Sequence, residues 1–232
     1  MKKLSALIAL PTLLWAMNSN AIPLSYGTAT HSTTAWQELA DVDANDPYGV
    51  SWSTDGGTTW GRNDLYVGQS VAFRFSMHKE NVGTHYADLM KAWVDWGQDG
   101  SFDSADAVAY GEHVLTDHES QLGSWRTPEN PDFAFYSNTF NLVSEGDLWL
   151  RALVTCSESV THNNGGSWND QWTPQFANNY ESLITPTGHY NQGETEEWKI
   201  TVHHEVPEPA SLALLGLGIA GLALRRTSKT AA

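Results

Sequence analysis

Short runs of the chain alternate between apolar and polar residues. In 69–78 (QSVAFRFSMH), Val71, Phe73, Phe75 and Met77 occupy every second position, the signature of a half-buried strand. The segment 92–96 is rich in β-formers, with Trp93, Val94 and Trp96. Tyr136, Asn138, Phe140 and Leu142 share one face of 136–142, and Leu148, Leu150, Ala152 and Val154 share one face of 148–155. Trp198, Ile200 and Val202 do the same in 198–202. Segments rich in Gly, Asn and Asp separate these runs. Residues 86–91 allow one helical turn, and no long helical pattern occurs. The stretch 162–192 is polar and rich in Asn, Gly and Trp, and reads as one elaborated loop or a pair of loops. The pattern predicts an all-β fold, a single antiparallel β-sandwich domain.

Both ends break the pattern. Lys2-Lys3, the apolar run Leu4 to Met17, and Ser19-Asn20-Ala21 are the three parts of a signal peptide, with a cut after Ala21. At the other end, Pro207-Glu208-Pro209 precedes Ala210 to Leu224, fifteen residues with no charge, and then Arg225-Arg226. The apolar run is shorter than the ~20 residues of a comfortable membrane helix, and its basic end would stay on the cytoplasmic side. An ordinary C-terminal membrane anchor is one reading. The combination V-P-E-P-A-S-L-A-L-L-G-L-G-I-A-G-L-A-L-R-R closely resembles the PEP-CTERM sorting signal of Gram-negative bacteria. That resemblance implies recognition by an exosortase, transient membrane insertion, removal of the tail near Pro207-Glu208-Pro209, and delivery to the envelope, cell surface or extracellular matrix. The expected organisation is a signal peptide over 1–21, a folded body over 22–206 and a sorting signal with a short transmembrane helix over 207–232.

Charge sharpens the picture of the body. All 27 acidic residues but only seven of the twelve basic ones lie between 22 and 208, a net charge of −20 with His neutral. Such a surface repels nucleic acid and anionic lipid, and suits divalent cations, cationic partners or plain solubility. Ten Trp outside the leader argue against disorder. The single Cys156 cannot form an intramolecular disulfide and lies in an apolar run, so it reads as a small buried hydrophobe.

The sharpest internal motif runs from Asp95 to Asp106 (DWGQDGSFDSAD). Counting Asp95 as one, oxygen side chains fall at one, five, seven, nine and twelve (Asp95, Asp99, Ser101, Asp103, Asp106), with Gly100 at six. A twelve-residue wrap of this kind supplies a hard cation such as Ca²⁺ with oxygens from one segment. Gly97 at three, Asp106 at twelve and strand-like flanks separate it from an EF-hand. The alternative is a hairpin loop whose Asp and Gly residues only make turns. The same segment, K-A-W-V-D-W-G-Q-D-G-S-F-D, resembles the W-I-D-W/F-N-x-D-G-x-F stretch of GEVED-type domains. L-W-L-R-A-L-V (148–154) is similar to the family's Arg-bearing strand, and G-E-T-E-E-W (193–198) to its closing G-E-V-E-D-Y strand, departing at Thr195, Glu197 and Trp198. The resemblance covers about 65–203. It implies a β-sandwich found in secreted and surface proteins, with no established catalytic activity. The family's acidic pair maps to Glu194 and Glu196, which either complete a cation site with the Asp95 loop or pair with Arg151.

Other segments carry weaker chemistry. Ser53 to Trp60 fits S-x-D-x-G-x-T-W, an Asp-box hairpin; a body this short holds no propeller, so the box reads as a structural turn with Asp55 bonding its amides. His78 and His85 with Asp88, or His203-His204-Glu205, carry metal-binding groups without a zinc-site spacing. No nucleophile elbow, phosphate loop or zincin motif occurs. Trp168 and Trp172, beside Asn169 and Asp170, suit sugar stacking with hydroxyl hydrogen bonds; otherwise they cover one end of the fold as a satellite core. The sequence therefore points to an exported, non-catalytic surface or matrix protein that binds exopolysaccharide or another matrix component, with calcium support. The alternatives are a structural component that assembles through protein contacts and, behind it, a polysaccharide or peptide hydrolase.

Overall fold

A computed structural model describes residues 22–34, 36–40, 49–79, 85–115 and 132–204. The expected signal peptide (1–21) and the expected short transmembrane helix of the sorting tail (207–232) lie outside the described residues, and among those described no helix is long and apolar enough to cross a membrane.

The described chain is mostly strand. A 3-10 turn (Leu24–Tyr26) precedes β1 (Ala29–Thr33), β2 (Glu38–Leu39), β3 (Val50–Ser53), β4 (Leu65–Tyr66), β5 (Ser70–His78), β6 (Ala87–Val94), β7 (Ala107–Val114), β8 (Asp132–Tyr136), β9 (Phe140–Asn141) and β10 (Gly146–Cys156). Helix α1 (Ser157–Asn163), a 3-10 turn (Trp168–Trp172), α2 (Pro174–Ala177) and α3 (Tyr180–Leu183) follow, then β11 (Gly188–Gln192) and β12 (Glu194–His203).

One five-stranded sheet has the order β4-β12-β10-β6-β7. A second is built on β5, which pairs with β2 and β3 and also with β8 and β9. The alternating residues of β5 face the other sheet: Val71, Phe73, Phe75 and Met77 join Met90, Ala92 and Val94 of β6, Leu148, Leu150, Ala152 and Val154 of β10, and Ile200 and Val202 of β12 in one core cluster. The pairing is largely antiparallel. Two pairs are not, since β12 runs parallel to β4 and β1 runs parallel to β11 in a small separate sheet.

The segment expected as loop over 162–192 is instead a layer of short helices ending in β11. It packs on the outer face of the first sheet, where Leu89, Trp93 and Leu153 meet Val160, Phe176, Tyr180, Ile184 and Tyr190 in a second cluster. This layer explains a second difference. Residues 86–91 do not make a helical turn; 87–94 form one strand, and every residue of it is buried. A strand covered on both faces loses its polar alternation and reads as a continuous apolar run, which periodicity cannot tell from helix. Cys156 is fully buried where β10 hands over to α1, and burial pushes its thiol up to about 12.

Candidate functional site

The Asp95 loop leaves β6 and returns as β7. Asp95 is buried, and its carboxylate is already engaged. Tyr26 Oη donates to its Oδ2 at 2.6 Å, Gly100 N–H to Oδ2 at 2.9 Å, and Asp99 N–H to Oδ1 at 3.2 Å. Gly100, at the expected sharp turn, has φ +83°, a value glycine tolerates. Asp99 Oδ1 accepts from the N–H and hydroxyl of Ser101, Asp106 Oδ2 from Asp103 N–H, and Asp103 Oδ1 from Ala105 N–H. The five expected calcium ligands thus share one loop, where they bond its own amides and hydroxyls. Burial, with the charges of Asp103, Asp95 and Asp99 added, raises the pKa of Asp106, so negative charge crowds here. Among the described residues no group of three or more His, Cys, Asp or Glu side chains is arranged to hold a metal ion.

Arg151 lies beside this loop. It is fully buried on the outer face of β10, with its guanidinium over the Phe102 ring. It donates to the carbonyls of Tyr26 (3.2 Å), Gly27 (2.9 Å) and Pro186 (2.7 Å), and through Nε (2.9 Å) and Nη2 to Glu197. The expected partner was Glu194 or Glu196. Strand parity decides otherwise: Arg151 stands opposite Glu197 in register, while Glu194 and Glu196 project to the other face of β12. Glu194 accepts from Leu39 N–H at 2.8 Å, and burial raises its pKa, helped by the nearby Glu196. The glycine of this G-E-T-E-E-W strand has its own reason. Gly193 has φ +105°, and a Cβ there would lie 1.9 Å from the carbonyl oxygen of Val154. Arg151 and Asp95 together pin the segment 24–27 onto the sheet, a role for Tyr26 that no sequence pattern announces.

Trp168 and Trp172 lie in a 3-10 turn, 41% and 40% exposed, with ring centroids 4.7 Å apart in an edge-to-face pair. They stand outside both core clusters. Asp170 holds the turn: its Oδ2 accepts from Ser167 N–H and Ser167 Oγ, both at 2.7 Å, which keeps its pKa below the usual carboxylate range. Gln171, fully buried between the two rings in sequence, ties the turn to Ser157 and Tyr86. Asn169 is exposed on the same turn. The pair is therefore a braced aromatic surface.

Two clefts went unread in the sequence. One of about 360 Å³ runs along β7 beside Tyr136, Asn138 and Glu181, and adjoins one of about 300 Å³ lined by Ser104, Asn178 and Asn179. Their lining residues come from segments far apart in the chain, so no local signal could have found them. The Asp box behaves as expected. Asp55 accepts from Thr59 Oγ1 and from the amides of Thr58 and Thr59, bonds that hold its pKa far below the usual range.

The sequence also noted His85 and Asp88 as metal-binding groups. The structure gathers them with a lysine instead. Lys79 Nζ lies 2.6 Å from Asp88 Oδ2, and His85 Nε2 lies 2.6 Å from Asp88 Oδ1. Gln37 donates to Oδ1, and His113 approaches Oδ2 at 3.8 Å. His78 turns away and pairs with Asp132 at 2.7 Å. Burial would raise the pKa of Asp88, but His85, His113 and Lys79 hold it well below the carboxylate range.

Comparison with known proteins bears on the loop, Arg151 and the closing strand together. Residues 90–201 match the family model of the GEVED domain. The match begins in β6 and ends in β12, so it spans the Asp95 loop, Arg151 and the Gly193–Trp198 strand. Residues 205–226 match the PEP-CTERM protein-sorting motif. The motif implies export and exosortase-dependent sorting to the cell surface of a Gram-negative bacterium, with an exosortase as processing partner. Neither family is catalytic. No curated protein matches the chain. Among solved structures, the crystal structure of the C-terminal domain of wzt covers 75% of this chain and 77% of its own, at 10% identity and a TM-score of 0.36. So loose an overlap carries no argument.

Proposed function

We propose that the processed protein, residues 22–206, is a non-catalytic β-sandwich module of the cell surface or extracellular matrix that binds exopolysaccharide through the Trp168–Trp172 turn. The single core shared by the two five-stranded sheets supports the sandwich reading. The braced, half-exposed tryptophan pair carries the binding reading. Two rings held edge to face offer one flat face to a sugar ring at little entropic cost, and Asn169 adds an amide beside them. Asp170 is spent on its own turn and gives the sugar little.

Calcium is a support within this proposal. A bound ion at Asp95, Asp99, Ser101, Asp103 and Asp106 would replace the hydrogen bonds those side chains make within the loop, and would relieve the charge crowding at Asp106.

The test is retention of the processed protein on exopolysaccharide from the producing cells, with and without calcium. Saturable retention lost in Trp168→Ala, with tryptophan fluorescence and melting otherwise unchanged, is the expected result. Retention that survives both Trp168→Ala and Trp172→Ala removes the turn from the site. A second reading, a structural component held by protein contacts, draws on exposed Val143 (81%) and Tyr136 (57%). It predicts concentration-dependent association in sedimentation that the Trp substitutions leave alone.

A further inference from the structure

The polar plug at one end of the inter-sheet core uses none of its chemistry in sugar binding. Lys79 follows directly on β5, and Asp88 is the second residue of β6, so the pair joins the two main sheets. Lys79 is 1% exposed and Asp88 0%, and their side chains touch at 2.6 Å. The two carboxylate oxygens have different company. Oδ1 faces two donors, His85 Nε2 at 2.6 Å and the Gln37 amide. Oδ2 faces the lysine nitrogen at 2.6 Å, with His113 Nδ1 farther off at 3.8 Å.

That division of labour is what an amide-forming site requires. A desolvated ammonium and carboxylate are costly as charges, and one proton transfer turns them into a neutral amine against a carboxylic acid. Fixed contact supplies the proximity that a free amine and acid lack. We infer that Lys79 and Asp88 condense into an intramolecular isopeptide bond that ties the two sheets together covalently.

The step balances within the pair. The step starts from an ammonium and a carboxylate in contact. One ammonium proton moves to Oδ2, and the lysine nitrogen attacks Cγ. Charge gathers on Oδ1, where His85 and Gln37 receive it as an oxyanion hole. A second proton passes from nitrogen to Oδ2, the Cγ–Oδ2 bond breaks, and water leaves. The products are one amide and one water from one ammonium and one carboxylate, with no oxidant, no cofactor and no change in net charge. Oδ1 remains as the amide oxygen, still held by both donors. The single Cys156 leaves this exported chain no intramolecular disulfide, so the amide would be its internal covalent brace.

Mass spectrometry of the purified, denatured protein tests this, with both termini fixed by peptide mapping. The expected mass is about 18 Da below that of the sequence, the loss of one water. Trypsin should leave 75–91 as one peptide, uncut after Lys79 and lighter by the same amount. Lys79→Arg keeps a cation beside Asp88 but cannot condense, and should return the full mass. A folded wild-type protein at its full sequence mass overturns the inference, whatever the variant does. A loss of water that persists in Lys79→Arg overturns it too, because it then arises elsewhere in the chain.

Discussion

Arg151→Met is the sharpest test of how the structure is held at the GEVED-like strand. The substitution keeps the long apolar stem in the core and removes the guanidinium. Four acceptors lose their donor: the carbonyls of Tyr26, Gly27 and Pro186, and the Glu197 carboxylate. Breaking a fully buried ion pair from one side costs about 3–5 kcal/mol. Glu197 keeps 26% of its side chain in solvent and can rehydrate, which puts the estimate at the lower end of that range. The three carbonyls lose hydrogen bonds worth about 1 kcal/mol each, partly recovered by water. The expected loss is about 3 kcal/mol. With a urea m-value of about 2 kcal/mol/M, the midpoint should fall by about 1.5 M at unchanged slope. Glu197→Gln should cost less, about 1 kcal/mol, because the guanidinium keeps its three carbonyls. Urea melts followed by tryptophan fluorescence read both. Equal losses in the two variants, or an Arg151→Met midpoint within about 0.3 M of wild type, would refute the account of Arg151 as the anchor of segment 24–27.

Asp106 has a raised pKa in the folded state, so the fold binds its proton more tightly than the unfolded chain does, and stability falls as pH rises from the unfolded value through the folded one. Asp106→Asn should therefore raise the melting temperature at pH 7 in chelator and lower it in calcium; a rise in both solutions would remove the ion from the loop. Gly193→Ala combines a positive φ with a Cβ against the Val154 carbonyl, and should destabilise by roughly 2–5 kcal/mol in the same urea assay, against no more than a few tenths expected of an innocuous surface change. Trp168→Ala should abolish retention on exopolysaccharide without moving the melt. The 75–91 peptide should be one water light.

Some of this protein was determined by its sequence alone. The C-terminal sorting motif at 205–226 is linear chemistry, so a tripeptide, an apolar length and a basic end suffice to recognise it. Strand β5 was legible as well, because its inward residues alternate with less buried ones over 70–78, whereas the expected strand over 136–142 is split between the end of β8 and β9. The Asp box and the Asp95 turn are local, built from hydrogen bonds across a few residues. Tertiary structure decided the rest. Strand β6 is dry on both faces, so its sequence lost the alternation that marks a strand, and only the helical layer over 157–192 explains why. Partner choice also lay beyond the sequence. Arg151 takes Glu197 over Glu194 or Glu196 because register and pleat set which side chains share a face. Lys79 meets Asp88 because two sheets close on each other, and the aqueous exclusion that makes that contact reactive exists only in the folded core.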